Sequence, residues 1–158
     1  MQILPYDDSQ LDAIVSLSLR AWEPVFDSIE GAMDPDVYRA QHPDWRVTQR
    51  DAVKSACSDQ DTHVWVASEK SRIVGFVALK LHSQDRIGEI YMIAVDPDFQ
   101  RRGVATALSH HSLDWFKGAG MTTAMVETGG DPGHAPARRT YESTGFRVFP
   151  TARYFKKL

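Results

Sequence analysis

Glu89–Ala107 has the sequence EIYMIAVDPDFQRRGVATA, and this stretch decides the fold. An apolar run over 90–95 ends at Asp96-Pro97, a short polar turn follows, and Gln100–Ala105 opens a helix. The first backbone N–H groups of a helix have no partner within it, and the helix dipole favours negative charge there. Two adjacent arginines add positive charge to the turn. The stretch therefore predicts a phosphate-binding turn between a strand and a helix.

The single glycine of this turn excludes two common phosphate-binding motifs. A Walker A loop needs Gly-Lys-Ser/Thr, whereas Gly103 is followed by Val104 and Ala105. A dinucleotide-binding fingerprint needs three glycines at the first strand–helix turn of its unit. The turn therefore indicates a phosphate-bearing ligand that uses neither motif, and the rest of the chain must identify it.

The composition is that of one ordinary globular domain. Of the 158 residues, 42% are hydrophobic and 25% are charged, which is enough for a sizeable core. No apolar run approaches the ~20 residues that span a bilayer, and the first ten residues lack the parts of a secretory signal. Cys57 is the only cysteine, which fits a reducing compartment. We expect a single cytoplasmic domain over residues 1–158, with no membrane partner.

The charge balance argues against nucleic acid as a partner. The net charge is −3, whereas nucleic-acid-binding domains are usually basic. The distribution is uneven: residues 1–62 hold twelve acidic and five basic side chains, and residues 137–158 hold one acidic and six basic ones. A solvated surface explains this bias, and so does an N-terminal half that faces a cationic partner. The sequence leaves both interpretations open.

Hydrophobic periodicity and turn residues predict a series of strands and helices. A first helix is capped by Asp8 or Ser9, and Pro24 and Pro35 are expected to break the next stretch into short helical pieces with a loop over 30–32. Further helices are predicted over 45–57, 103–117 and 135–144. Strands are predicted over 2–5, 62–69, 73–81, 89–95, 122–127, 146–149 and 152–156.

The order of these elements predicts a mixed α/β fold. Strands 62–69 and 73–81 are separated by a short turn and form an antiparallel hairpin. Helix 103–117 lies between strands 89–95 and 122–127, and such a crossover favours a parallel pair. We therefore expect a central twisted mixed sheet of about six or seven strands with helices on both faces.

Two motifs in this order resemble those of the GNAT family of N-acetyltransferases. The first is Val-Asp-Pro after a strand, followed by Gln-Arg-Arg-Gly-Val-Ala at a helix start. The second is Ala-x-x-x-Tyr-Glu-x-x-Gly-Phe over 137–146. The resemblance covers the chain from about Val64 to its end, and the earlier element order also fits. It implies a GNAT-like fold and acetyl-CoA as the co-substrate.

The resemblance also implies which residues hold acetyl-CoA. Backbone N–H groups of the turn would bind the pyrophosphate, and the preceding strand would pair with the pantetheine amides beside a splayed parallel neighbour. The corresponding positions are Gln100, Arg101, Arg102, Gly103, Val104 and Ala105 in the turn, and Ile93, Ala94 and Val95 in the strand.

Tyr141 matches the family tyrosine that lies near the thioester sulfur. A phenol of pKa ~10 can protonate a departing thiolate of pKa ~8.5 or donate a hydrogen bond to it. The other interpretation is a core tyrosine bonded to a backbone carbonyl. His134 stands where the family usually has an asparagine that contacts the cofactor. A cofactor contact, a role at the helix N-terminus and a plain surface position are all open for it.

The acceptor must lose a proton, because a primary amine near pKa 10 is ammonium at neutral pH and has no lone pair for attack. Glu89, at the start of its strand, resembles the glutamate base of histone-type family members. The alternative is a surface carboxylate paired with Arg86 or Lys80. Glu127, at the end of the neighbouring strand, is the second candidate, and a water chain with no single base is the third.

The acceptor site is expected near the first helix, with Trp22 and Phe26 supplying aromatic surface for a cation. Trp22 also fits the apolar stripe of its helix, so a core role is the competing interpretation. No metal is expected, because the histidines and acidic residues near Glu89 form no recognised ligand set.

The sequence thus predicts an acetyl-CoA-dependent N-acetyltransferase that acts by direct attack in a ternary complex. The expected acceptor is a small cationic amine such as a polyamine, an amino sugar or an amine antibiotic. Acetylation of a protein N-terminus or lysine is the first alternative, and a non-catalytic acyl-CoA-binding module is the second. Dimers are common in the family, so a homodimer is among the expected states.

Overall fold

The computed structural model describes residues 1–158 and places a five-stranded mixed sheet at the centre, in the order β1-β2-β3-β4-β5. The strands are β1 (Gln2–Pro5), β2 (Thr62–Glu69), β3 (Arg72–His82), β4 (Ile87–Val95) and β5 (Thr123–Val126). The helices are α1 (Leu11–Ala32), α2 (Pro35–Gln41), α3 (Trp45–Ser58), α4 (Val104–Gly118) and α5 (Ala135–Ser143). This is the predicted mixed α/β architecture with helices on both faces.

The strands pair as predicted, except that the parallel pairing of β4 with β5 covers only the first half of β4. The first four strands pair antiparallel, and β4 pairs with β5 in parallel, as the α4 crossover requires. The parallel pairing joins Ile87–Ile90 to Thr123–Val126 and goes no further. The second half of β4 therefore has no strand partner on this edge, and β4 and β5 part beyond Ile90.

A bulge in β4 marks the point where the two strands part. The register on β3 steps from Ala78 opposite Met92 to Leu79 opposite Ile90, so Tyr91 is the extra residue. A bulge bends its strand and increases the local twist. The free half of β4 is thereby turned away from β5, which opens a cleft between β4 and the edge strand β5.

Two apolar clusters hold the helices to the sheet. Leu108 and Phe116 of α4 pack on one face, and Ile14 of α1 and Val53 of α3 pack with Phe76 on the other; all five are buried. Helix α4 lies very close to β4 at Gly88, where a Cβ would be 2.3 Å from the Phe116 ring. Sheet and α4 together fix the turn at 96–103 over the cleft.

Helix α1 corrects the prediction that Pro24 breaks the chain. It runs without interruption over 22 residues to Ala32, and it contains the stretch predicted as a loop. A proline in a helix removes one backbone hydrogen bond, which is costly unless other contacts offset it. Here the N-terminal half of α1 packs on the sheet through Ile14 and Leu17, and Ser28 bonds to the loop before α5. Pro35 begins α2 with Asp34 as its cap.

The C-terminal segment corrects the predicted strand count. Residues 146–158 form no strand, so the sheet has five strands instead of six or seven. Val148, Phe149 and Tyr154 are exposed. Ion pairs from Arg153 to Glu127 and from Lys157 to Asp36 connect the segment to the rest of the chain. The two strands predicted over 146–149 and 152–156 are therefore absent.

None of the helices combines the length and the apolar character required to cross a membrane.

Candidate active site

The opening between β4 and β5 is a cavity of about 930 Å³. The free half of β4 forms one wall, and the N-terminal turn of α4, the helix α5 and the middle of α1 form the others. Most of the predicted site residues line it: Trp22, Ile93, Ala94, Val95, Gln100, Arg101, Gly103, Val104, Ala105, Glu127, His134 and Tyr141. Three predicted residues, Phe26, Glu89 and Arg102, lie outside its lining.

The β4 wall presents backbone instead of side chains. Beyond Ile90 the edge of β4 that faces the cavity has no partner strand, so its N–H and C=O groups are open to a ligand with amide groups of its own. The carbonyl of Val95 is the exception, because the Gln100 side chain donates to it at 3.1 Å. Gln100 thereby ties the turn to the end of the strand that precedes it.

The turn at the cavity mouth has left-handed backbone at two positions. Arg101 has φ +61° and Gly103 has φ +82°, and α4 begins at the next residue. No side chain caps α4, so the first N–H groups of the helix have no partner and carry the positive end of its dipole. A side chain at Gly103 would meet no atoms, so the backbone conformation is what favours glycine there.

The two arginines of the turn have different surroundings. Arg101 lines the cavity and is exposed. Arg102 instead lies over the Phe99 ring at 5.0 Å, with Arg72 over the same ring at 4.9 Å. Only Arg101 is therefore placed beside the helix N-terminus as an anion-binding side chain.

Asp96 anchors the turn, a role that the sequence analysis missed. Its carboxylate is buried and accepts hydrogen bonds from Arg20 at 3.1 Å, from Arg72 at 2.9 Å and from the Asp98 backbone at 3.0 Å. Arg20 and Arg72 also bond to Asp98, and the Arg20 contact lowers the pKa of that carboxyl. The Asp-Pro step after the strand was the available signal, but its arginine partners lie on α1 and β3.

Tyr141 is buried in the cavity wall, and its ring packs edge-on against Phe146. Burial raises the pKa of the phenol to about 12. Its hydroxyl makes no hydrogen bond to a backbone carbonyl, so the alternative of a satisfied core tyrosine is not what the structure contains. A phenol of this pKa stays protonated at physiological pH and can donate a proton into the cavity.

Glu89 forms a pair that the sequence analysis did not foresee. Its carboxylate contacts His82 Nε2 at 2.7 Å, and neither Arg86 nor Lys80 pairs with it. The Lys80 ammonium lies over the Tyr91 ring at 4.1 Å instead. Glu89 is opposite Lys80 in the register, and it does not line the cavity, although the next two residues of the strand, Ile90 and Tyr91, do.

The expected acceptor residues divide between the cavity and the helix packing. Trp22 packs edge-on against Phe76 at 6.3 Å and also lines the cavity. Phe26 stacks on Trp45 at 4.5 Å and lies outside the lining. Glu127 lines the cavity and pairs with Arg153 at 3.0 Å, with both side chains exposed.

His134 belongs to a polar cluster of three side chains, which we call the Ser28–Asp131–His134 triad. The Asp131 carboxylate contacts His134 Nδ1 at 2.5 Å through one oxygen and accepts from Ser28 at 2.6 Å through the other. Burial raises the pKa of Asp131, but the bonds from Ser28 and His134 outweigh it and leave the pKa below its usual value. His134 occupies the N-cap position of α5, but its side chain makes no capping hydrogen bond.

Two other groups offer no chemistry to this site. Burial raises the pKa of Cys57 to about 11, so its thiol is a weak nucleophile at neutral pH. The chain holds no group of three or more His, Cys, Asp or Glu side chains placed to bind a metal ion.

The comparison with family models matches residues 21–146 to the acetyltransferase (GNAT) family. A curated relative, a mycothiol acetyltransferase of Rhodococcus jostii (strain RHA1), is 27% identical over 93% of this chain and 52% of its own length. The chain thus spans about half of the relative that it matches.

Two solved structures share the fold. An aminoglycoside antibiotic 6′-N-acetyltransferase from Acinetobacter haemolyticus has a TM-score of 0.70 at 17% identity, with 100% of this chain and 99% of that chain covered. The PaiA N-acetyltransferase of Thermoplasma acidophilum, solved in complex with coenzyme A, has a TM-score of 0.69 at 15% identity, with 96% and 94% covered.

Proposed function

Because the chain belongs to the GNAT acetyltransferase family, we propose that it transfers acetyl from acetyl-CoA to a small amine by direct attack in a ternary complex. One observation carries the proposal: the cavity between β4 and β5 joins an uncapped helix N-terminus to a buried tyrosine. A donor with a pyrophosphate at one end and a thioester at the other needs the helix N-terminus for the pyrophosphate and the tyrosine for the thioester.

The residues present fit acetyl-CoA. The N–H groups of Gly103, Val104 and Ala105 at the start of α4 would bind the pyrophosphate, with Arg101 adding charge from the side. The open edge of β4 over Ile93–Val95 would pair with the pantetheine amides. A protein of the same fold solved in complex with coenzyme A supports the choice of acetyl-CoA as the donor.

Tyr141 would assist the departure of CoA. Expulsion of a thiolate is favoured when a proton donor lies near the sulfur. The phenol is protonated over the whole working range and borders the cavity. We assign the proton that reaches the thiolate to the Tyr141 hydroxyl.

The acceptor side favours a small amine with positive charge. Trp22 provides an aromatic face and Glu127 a carboxylate, and both line the cavity. The names of the curated relative and of one structural neighbour, a mycothiol and an aminoglycoside acetyltransferase, support a small acceptor. The acidic N-terminal third gives less support than its charge suggests, because Asp7, Asp34 and Asp44 cap helices.

The two predicted carboxylate bases differ in position. Glu127 lines the cavity and is exposed, so it can attract an ammonium group. Glu89 lies outside the lining and is paired with His82, so it would reach the acceptor only through water. We assign Glu127 to acceptor binding and give Glu89 no direct contact with the acceptor.

A thiol-release assay with acetyl-CoA tests the proposal. The panel should contain polyamines, amino sugars, aminoglycosides, and peptides with a free N-terminus or an internal lysine. We expect release of CoA above the rate without acceptor for a small amine. Release only with peptides would favour protein acetylation instead. Calorimetric binding of acetyl-CoA with no release for any acceptor would favour the binding-module alternative.

A further inference from the structure

We propose that His134 Nε2 accepts the proton of the acceptor ammonium, and that Asp131 and Ser28 position the imidazole for this role; the inference rests on the acetyl transfer proposed above. It gives the reaction a base other than the two carboxylates predicted from the sequence. Neither Asp131 nor Ser28 was among the expected site residues.

The hydrogen bond to Asp131 determines which ring nitrogen can act as the base. The Asp131 carboxylate can only accept, so the Nδ1 atom 2.5 Å away carries the proton. Nε2 of the neutral ring then holds the lone pair, and no group of the chain hydrogen-bonds to it. His134 lines the cavity. The triad therefore provides a basic nitrogen at the cavity wall, with a carboxylate that stabilises the ring when it is protonated.

The surroundings hold the carboxylate in one position. Ser28 Oγ donates to Asp131 at 2.6 Å and accepts from the Gly133 N–H at 2.8 Å, which ties α1 to the loop before α5. Arg138 donates to the backbone carbonyls of Gly129 and Asp131. The Asp131 side chain is only 11% exposed. This is the arrangement expected of a carboxylate that orients a histidine.

Two glycines leave the space in which the triad fits. A Cβ on Gly129 would lie 2.4 Å from Asp131 Oδ1 and 2.6 Å from His134 Nδ1. A Cβ on Gly133 would lie 2.5 Å from the Ser28 Cβ. Any side chain at either position would separate the members of the triad. In the sequence Gly-Gly-Asp-Pro-Gly-His, the first and third glycines, Gly129 and Gly133, therefore leave the room that the triad needs.

The position of His134 relative to Tyr141 suits a base and an acid that act on opposite sides of the thioester. His134 directly precedes α5 and Tyr141 lies on that helix seven positions later, and both line the cavity. One can serve the attacking nitrogen, directly or through one water, while the other serves the leaving sulfur. An asparagine at position 134 could bind the donor but could not take a proton.

The proton balance of the step is complete. His134 Nε2 takes one proton from the acceptor ammonium and leaves a neutral amine, whose lone pair forms the C–N bond to the thioester carbon. The C–S bond breaks, and the Tyr141 hydroxyl protonates the thiolate. The amine nitrogen loses its second proton, which returns the phenol to its protonated form. The imidazolium then releases its proton to solvent, so each turnover releases one proton.

The charged groups around His134 come from three elements. Asp131 lies in its own turn, Arg138 and Arg139 on α5, and Glu127 at the end of β5. The α1 residues that line the cavity are uncharged, and so is Ser28. Asp131 is the one charged side chain in contact with the ring. Its removal is therefore the change that most directly takes away the charged partner of the ring.

The test compares His134→Asn and Asp131→Asn with the parent protein, using the best acceptor of the panel. Proton removal by a positioned base contributes about 10²–10⁴-fold, so we expect His134→Asn to lower kcat at least 100-fold near neutral pH. The loss should shrink at alkaline pH, where the free amine is abundant. Asp131→Asn should move the acid limb of the kcat/KM profile to lower pH, because the imidazolium loses its carboxylate.

The controls separate this role from a cofactor contact and from misfolding. His110, exposed on α4, supplies the matched variant His110→Asn, which should keep the parent profile. The calorimetric Kd for acetyl-CoA should be unchanged in His134→Asn. A loss of equal size at every pH, or a raised Kd that accounts for the whole loss, would overturn the assignment of the base and leave acetyl transfer intact. If the parent protein acetylates no amine, the proposed function fails and this assignment fails with it.

Discussion

At the scale of single residues, Tyr141 is a protonated phenol in the cavity wall. Its hydroxyl borders the cavity, and burial raises its pKa to about 12. We expect Tyr141→Phe to lower kcat by about 100-fold, because the thiolate leaves without a proton. The Kd for acetyl-CoA should change little. Steady-state kinetics with calorimetric binding checks both, and a parent-level kcat would remove Tyr141 from the mechanism.

Arg101 and Arg102 form a matched pair for testing the pyrophosphate site. Arg101 lines the cavity, whereas Arg102 packs on the Phe99 ring. Because Arg101 is exposed, we expect Arg101→Ala to weaken acetyl-CoA binding by only about 3- to 10-fold. Arg102→Ala should have a smaller effect. Calorimetry at low and high salt checks this, and equal effects of the two substitutions would contradict the assignment of Arg101 to the donor.

Glu89 is expected to matter less than the sequence suggested. Its carboxylate contacts His82 outside the cavity lining, so it can act only through water. We expect Glu89→Gln to lower kcat by less than about 10-fold, below the range of a direct base. What loss there is should be greatest at low pH, where the amine is hardest to deprotonate. A 100-fold loss with a missing acid limb in the pH–rate profile would make Glu89 the base after all.

At the scale of elements, the junction between β4 and α4 depends on Asp96. Its buried carboxylate accepts from Arg20 and Arg72. We expect Asp96→Ala to lower the free energy of unfolding by about 1–3 kcal/mol, because both donors lose a buried partner. The half-exposed arginines can rehydrate, which keeps the cost below that of a fully buried pair.

The neighbouring Asp98 provides the control for that prediction. It bonds to the same two arginines but is largely exposed, so Asp98→Ala should lower the free energy of unfolding much less than Asp96→Ala does. Urea denaturation measures both variants. Equal costs would show that Asp96 does not anchor the turn through its burial.

The contact between α4 and β2 should make stability depend on pH. The His111 ring packs against Trp65 at 4.4 Å, its Nε2 is buried without a partner, and burial lowers its pKa despite the opposing charge of Asp114. The unfolded chain therefore binds this proton more readily than the folded one. Stability is fully present above the unfolded pKa of about 6.5 and falls as the pH drops from there towards the folded pKa.

The variant that tests this contact is His111→Phe. It should flatten the decline of the unfolding free energy between neutral and mildly acidic pH, whereas the exposed His110→Asn should not. Denaturation at a series of pH values gives the slopes. An unchanged slope in His111→Phe would assign the acid sensitivity to another group.

At the scale of the whole molecule, the site divides into a part that local sequence predicts and a part that it does not. The stretch Glu89–Ala107 gave the strand, the turn and the helix start, because each follows from residues close in sequence. The free edge of β4 was expected only through the family resemblance, and the structure confirms that β4 and β5 part after Ile90.

Contacts between distant segments account for the rest. Ser28 and Asp131 are 103 positions apart and meet only because α1 continues through Pro24. No local pattern indicates that continuation, since proline usually ends a helix. The prediction for the C-terminal segment was wrong in the opposite way: two strands were expected over 146–149 and 152–156, and neither forms. The expected homodimer stays a prediction.

The measurement that tests the central claim most directly is release of CoA from acetyl-CoA over the amine panel, with the acetylated product identified by mass spectrometry. The account predicts release that depends on a small amine and falls about 100-fold in Tyr141→Phe. It would be contradicted if acetyl-CoA bound in the cavity but no amine in the panel became acetylated, or if Tyr141→Phe acetylated the same amine at the parent rate.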